Sequence, residues 1–74
     1  MIFDGNTFCF TGKMKWTRKK LEQFVWSRGG SVSHKVTKST DYLVEGSHDH
    51  ASKKVSDARR LGVKVITAAE FFAA

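Results

Sequence analysis

Proline is absent from this 74-residue chain, cysteine occurs once, and 7 Asp and Glu stand against 13 Lys and Arg. Its turns must therefore be made without proline, chiefly by its 6 glycines. A single cysteine excludes an internal disulfide framework, and Cys9, set between Phe8 and Phe10, is expected to be a buried, inert thiol. No apolar run approaches the length of a membrane span, and no signal-like charged and apolar regions follow Met1. This predicts an intracellular protein, cytoplasmic in a bacterium and nuclear in a eukaryote, with no membrane partner. The few acids scatter over loops and helix surfaces, so no carboxylate pair, Ser-His-Asp set or activated cysteine can be assembled. His48 and His50, flanking Asp49 in a polar segment, make a poor zinc site with the one cysteine far away. No catalytic residue, metal or cofactor is expected.

The chain has room for one domain with one modest core, near the lower limit for folding without staples. Its apolar fraction of 41%, with 6 Phe, 2 Trp and 1 Tyr, suffices for a globular core and argues against disorder. The formal net charge is +6. It is unevenly placed: Glu22 is the only acid between Lys13 and Lys38, whereas Asp41, Glu45 and Asp49 fall in a stretch without Lys or Arg. A one-sided basic surface suits a polyanion; a solubility charge without a partner is the plainer alternative.

Residues 6–11 are rich in Phe and Thr and read as a buried strand. Thr17 is a good N-cap for a helix whose buried face is Leu21, Phe24 and Val25, with Trp26 off that face. Trp16 and Leu21 have the spacing of a hydrophobic staple. Gly29-Gly30 stops the helix, with a positive φ expected at one of the two. Ser31-Val32-Ser33 and Asp41 to Glu45 are further strands, the latter closing on Gly46, and residues 47–50 read as loop. Ser52 is expected to cap a second helix with Val55, Ala58 and Leu61 inward and Gly62 past its end. Val63 to Ile66 is a fourth strand. Thr67-Ala68-Ala69-Glu70 is a capping box opening a third helix, stapled by Ile66 and Phe71. Strands alternating with helices predict a mainly parallel sheet covered on both faces, with ligands gathering at the carboxyl ends of its strands.

Thr11-Gly12 occupies such an end, where the first strand gives way to Lys13, Lys15, Arg18, Lys19 and Lys20. A hydroxyl, backbone N–H groups unobstructed by a Cβ and a helix N-terminus beyond are together suited to phosphate. A plain strand-to-helix turn with solvated lysines has the same residues. Gly12-Lys13 is not a P-loop: no glycine stands at the required spacing before it, and Met14 replaces the required Ser or Thr. Cations in the first turn of a helix oppose its dipole, so Arg18, Lys19 and Lys20 are better explained with an anion nearby, although exposed lysines cost only tenths of a kcal/mol there. Lys53 and Lys54 repeat the pattern at the second helix.

The ordered landmarks resemble a BRCT domain throughout the chain. They are Gly5, Phe8, Phe10-Thr11-Gly12, Arg18, Leu21, Gly29-Gly30, Val32, Val36, Thr40-Asp41-Tyr42-Leu43-Val44, Gly46, Lys54, Ala58, Leu61-Gly62, Ile66 and Glu70-Phe71. They are most similar to the single BRCT domains of NAD-dependent DNA ligases and of the replication factor C large subunit. The resemblance implies an α/β fold with a four-stranded parallel sheet in the order 2-1-3-4, the first and third helices on one face and the second on the other. It also implies a phosphate held by Thr11, Gly12 and Lys54, to which the replication factor C type adds Arg18 and binding of DNA ends with a 5′ phosphate. Phenylalanines stand where many members carry a tryptophan in the third helix.

The expectation is therefore a single monomeric domain over residues 1–74, of the kind carried within a larger replication or repair protein such as a ligase. It would recognise phosphate through Thr11, Gly12, Arg18 and Lys54, with Lys13, Lys15, Lys19 and Lys53 as further DNA backbone contacts. Trp16 has a second possible role, stacking on a terminal base. The partner would be duplex DNA or its 5′-phosphorylated ends. The rival readings are a protein-interaction module that takes a phosphorylated protein in the same pocket, and a purely structural docking domain.

Overall fold

A computed structural model describes residues 2–46 and 53–74. The elements run β1 (Thr7–Thr11), α1 (Arg18–Trp26), β2 (Ser31–Val32), β3 (Tyr42–Glu45), α2 (Lys53–Leu61), β4 (Lys64–Thr67) and α3 (Ala68–Ala73). The strands form one four-stranded sheet in the order β2-β1-β3-β4, every neighbouring pair parallel. This is the order that the resemblance implies.

Strand periodicity decides which helix covers which face. Phe8 and Phe10 point to one side, where they pack with Leu21 and Val25 of α1, Phe71 of α3, and Phe3, Val44 and Ile66. Cys9 and Leu43 point to the other, against Val55 and Ala58 of α2 and Val63. Helices α1 and α3 thus share one face and α2 holds the opposite one. Cys9 is fully buried, as its neighbours suggest. Phe71 takes the central place on the larger face, edge-on to Phe3, Phe8 and Phe10 with ring centroids 5.3–5.8 Å away. Phe3, before β1, is as deeply buried as Phe71. Its position outside any periodic element hid this in the sequence.

Local signals explain the helix ends. The Thr17 hydroxyl accepts from the Lys20 N–H at 3.2 Å, capping α1. Both halves of the capping box form at α3: the Thr67 N–H donates to Glu70 Oε1 at 2.9 Å, and the Glu70 N–H donates to Thr67 Oγ1 at 3.1 Å. Helix α1 ends with Gly29 at φ +86°, where other residues are strained. Gly30 serves differently. A Cβ there would lie 2.7 Å from both the Phe3 carbonyl oxygen and Val25 Cγ1, so glycine lets the helix end close against the chain before β1.

Some boundaries differ from the sequence reading. Strand β3 starts at Tyr42 because Asp41 instead clamps β1: its N–H donates to the Thr7 carbonyl at 2.9 Å, and Oδ2 accepts from the Thr7 N–H at 2.7 Å. Ser33 falls outside β2, and its hydroxyl donates to the Lys35 carbonyl at 2.8 Å. Strand β4 runs one residue later than expected, in register with β3 from Tyr42↔Lys64 to Glu45↔Thr67, while Val63 is buried against α2. Leu61 is half-buried rather than fully inward. Trp16, just before the α1 cap, packs edge-on against Phe24 of α1 and Phe72 of α3, 5.1 and 4.7 Å between centroids. The Ser52 cap and the 47–50 segment with His48 and His50 lie outside the described residues.

Candidate functional site

The carboxyl end of β1 is where three of the predicted residues meet. Thr11 ends the strand, 8% exposed, on the same side of the sheet as Cys9 and hence on the α2 side. Gly12 follows, exposed and with φ +77°. From the first turn of α2, half-buried Lys54 sends its Nζ to the Phe10 carbonyl oxygen at 3.0 Å. The ammonium is therefore held next to the Thr11 peptide, although 44 residues separate it from Phe10. A lysine ammonium carries three donors, and the bond to Phe10 uses one of them.

Arg18, the first residue of α1, borders the same strand end from the other side. It lines a cleft of about 170 Å³ with Phe10, Gly12, Met14, Trp16 and Leu21. The first turns of α1 and α2 contain no acid, so the described cations around this end face no local carboxylate on those turns. The positive ends of both helix dipoles add to them, and an anion placed there would relieve both.

Close backbone packing shapes the approach. The Gly46 N–H donates to the Thr11 carbonyl at 2.8 Å, and a Cβ on Gly46 would collide with the Lys13 carbonyl oxygen and lie 2.9 Å from the Lys13 carbonyl carbon. The loop after Gly12 thus rests on the end of β3. Gly46 is a landmark of the sequence whose supporting role under that loop only the structure displays.

The additional lysines line different depressions. Lys53 lines a cleft with Lys54, His34, Lys35, Val36 and Asp57. Lys13 and Lys15 instead border a groove of about 600 Å³ against α3, with Met14, Ala68, Phe72 and Ala73. Lys15 Nζ lies over the Phe72 ring at 4.8 Å, and Lys20 Nζ over Trp16 at 4.6 Å. Lys19 is exposed on α1. The groove on the α3 side is larger than the clefts that Arg18 and Lys54 line, yet it holds none of Thr11, Gly12, Arg18 and Lys54.

Sequence reasoning passed over His34 altogether. Its Nδ1 lies 2.8 Å from Arg18 Nη1, and it also lines the Lys53–Lys54 cleft. No spacing rule relates a loop histidine to an arginine 16 residues earlier. Among the described residues no group of His, Cys, Asp and Glu is placed to hold a metal ion, and no helix is long and apolar enough to cross a membrane.

Known proteins share both the sequence pattern and the fold. The chain is 45% identical over 71 residues to a DNA ligase of Pseudothermotoga lettingae, covering 95% of this chain and 10% of that protein. It is 43% identical over 72 residues to a DNA ligase of Geotalea uraniireducens, covering 96% of this chain and 10% of the relative. The chain thus spans about a tenth of the length of these relatives. Among solved structures, the crystal structure of Rad4 BRCT1,2 in complex with a Crb2 phosphopeptide superposes with a TM-score of 0.82 at 17% identity, over 97% of this chain and 38% of that one. The model of the BRCA1 C Terminus (BRCT) domain matches residues 1–73, and the chain belongs to that family.

Proposed function

We propose that this domain is a non-catalytic phosphate-recognising module that binds DNA, including ends with a 5′ phosphate, within a DNA ligase or a related replication or repair protein. The observation that carries the reading is the Lys54 ammonium bonded to the Phe10 carbonyl, beside Thr11 and Gly12, with Arg18 bordering the same strand end. The +6 charge and the relatives named DNA ligase support a DNA partner. Capture is electrostatic. One phosphate then accepts from the Gly12 backbone, the Thr11 hydroxyl, the Arg18 fork and Lys54. Base identity contributes little, because phosphate contacts position a duplex without specifying its sequence.

The test is binding of matched duplexes with and without a 5′ phosphate. A preference for the phosphorylated end that Lys54→Ala removes supports the reading. Equal binding of both ends by the unmodified domain rejects the pocket and leaves a diffuse basic surface. Micromolar binding of a phosphopeptide in the absence of DNA binding would favour a protein partner instead.

A further inference from the structure

His34 stands just beyond β2, and the Arg18 guanidinium donates from Nη1 to its Nδ1 at 2.8 Å. An arginine has only donors and keeps its protons, so Nδ1 must be the acceptor and the imidazole neutral, with its hydrogen on Nε2. This single bond joins two depressions. Arg18 borders the one that contains Gly12, and His34 the one that contains Lys53 and Lys54. The imidazole thus touches Arg18 of the first depression and lines the second together with Lys54.

We infer that His34 is a positioning residue of this site, holding Arg18 beside Gly12 in the free protein and donating as an imidazolium once Arg18 has moved onto the bound phosphate. The inference rests on the reading of the β1 end as a phosphate site. An exposed arginine that must be ordered on binding loses rotamer freedom, and a resting acceptor lessens that loss. A neutral ring nitrogen is a weaker partner for a guanidinium than a phosphate oxygen, so the exchange is favourable when the anion arrives.

The charged groups facing His34, among the described residues, are Arg18 from α1, Lys35 from its own segment, and Lys53, Lys54 and Asp57 from α2. Asp57 is the one acid, and its carboxylate is 3.2 Å from Arg60. A phosphate brought among these cations favours a protonated ring, with the proton drawn from solvent. Binding is then accompanied by proton uptake.

The experiment is calorimetric titration of a 5′-phosphorylated duplex from pH 6 to 8, in buffers of different ionisation enthalpy. It compares the unmodified domain with His34→Gln, His34→Ala and Lys54→Ala. The terminal phosphate itself titrates near pH 6, so the readout is the difference between proteins on one oligonucleotide. Glutamine can still accept from Arg18 but cannot gain a proton. His34→Gln should therefore lose the proton uptake and flatten the pH dependence, by up to roughly tenfold in affinity per pH unit for a fully linked proton. His34→Ala should also bind more weakly at every pH. If His34→Gln keeps the full proton uptake and pH profile while Lys54→Ala abolishes end preference, the inference fails and the phosphate site stands. A loss equal at all pH values, with proton uptake unchanged, makes His34 merely structural and overturns it. Absence of any phosphorylated-end preference in the unmodified domain rejects both.

Discussion

Lys54 Nζ and the Phe10 carbonyl oxygen are 3.0 Å apart, tying the first turn of α2 to the last residues of β1. Neither residue is near the other in the chain. Their contact converts a strand end and a helix start into one surface, and it gives Lys54 a structural bond besides any contact with an anion.

That double role shapes the expected behaviour of the site variants. Lys54→Ala should weaken binding to a phosphorylated end by roughly 1.5–3 kcal/mol, the range of a charge-assisted contact, and Thr11→Ala by about 1 kcal/mol. Their combined loss should be less than additive, since a phosphate released by one partner shifts away from the other. Lys54→Ala should also lower stability, by about 0.5–1.5 kcal/mol for the lost bond to Phe10. Lys20→Ala should reduce binding of phosphorylated and unphosphorylated ends alike. Fluorescence titrations with matched oligonucleotides, alongside urea unfolding, separate the two effects.

Duplex binding should weaken steeply with salt and show no sequence preference. With about three or four phosphates neutralised, the slope of log affinity against log salt should be near −3 by counterion release. Affinities measured from low to high salt check this. A flat dependence would argue against a DNA-binding surface.

The paired glycines after α1 should respond for different reasons. Gly29→Val places a β-branched residue at φ +86° and should cost more than a typical surface change. Gly30→Ala meets the Phe3 carbonyl oxygen and Val25 Cγ1 at 2.7 Å, and should cost about 1–3 kcal/mol as an overpacked contact. Denaturant midpoints of the two variants, with unchanged slopes, are the measurement.

Glu70 should lend α3 a stability that depends on pH. The Thr67 backbone N–H, foremost, and then the Thr67 side chain hold its carboxyl below the usual glutamate range, against an opposing desolvation that exceeds the help of the Lys64 charge. With the folded value depressed, the contribution is fully present above the unfolded value of about 4.3. It is lost as pH falls through the lower folded value. The unfolding midpoint of the unmodified protein, relative to Glu70→Gln, should therefore be higher at pH 6 and lose that advantage in strong acid.

The position of Arg18 illustrates how far one-dimensional signals reach. Thr17 before it and Leu21 and Val25 after it mark a capped helix with one buried face, and the structure has that helix. The ring of basic first-turn residues was legible for the same reason. Arg18's bond to His34 was not, because it depends on where the segment after β2 comes to rest beside α1. Phe3 is a parallel case in the core: it belongs to no periodic stretch, and its burial follows from the packing of α1 and α3 around it.

Capping boxes, glycine stops and hydrophobic periodicity are short-range properties, carried by residues a few positions apart, and they determined the element order and the two faces of the sheet. The ordered landmarks also determined the family. The bond of Lys54 to the Phe10 carbonyl, one residue before Thr11, arises only through the parallel pairing of β1 with β3 and the placement of α2 on the Cys9 face. The tertiary structure alone decided that Lys13 and Lys15 lie against α3 while Lys53 shares a cleft with Lys54. Charge clustering along a chain does not specify clustering in space, because each turn and helix redirects successive side chains to different faces.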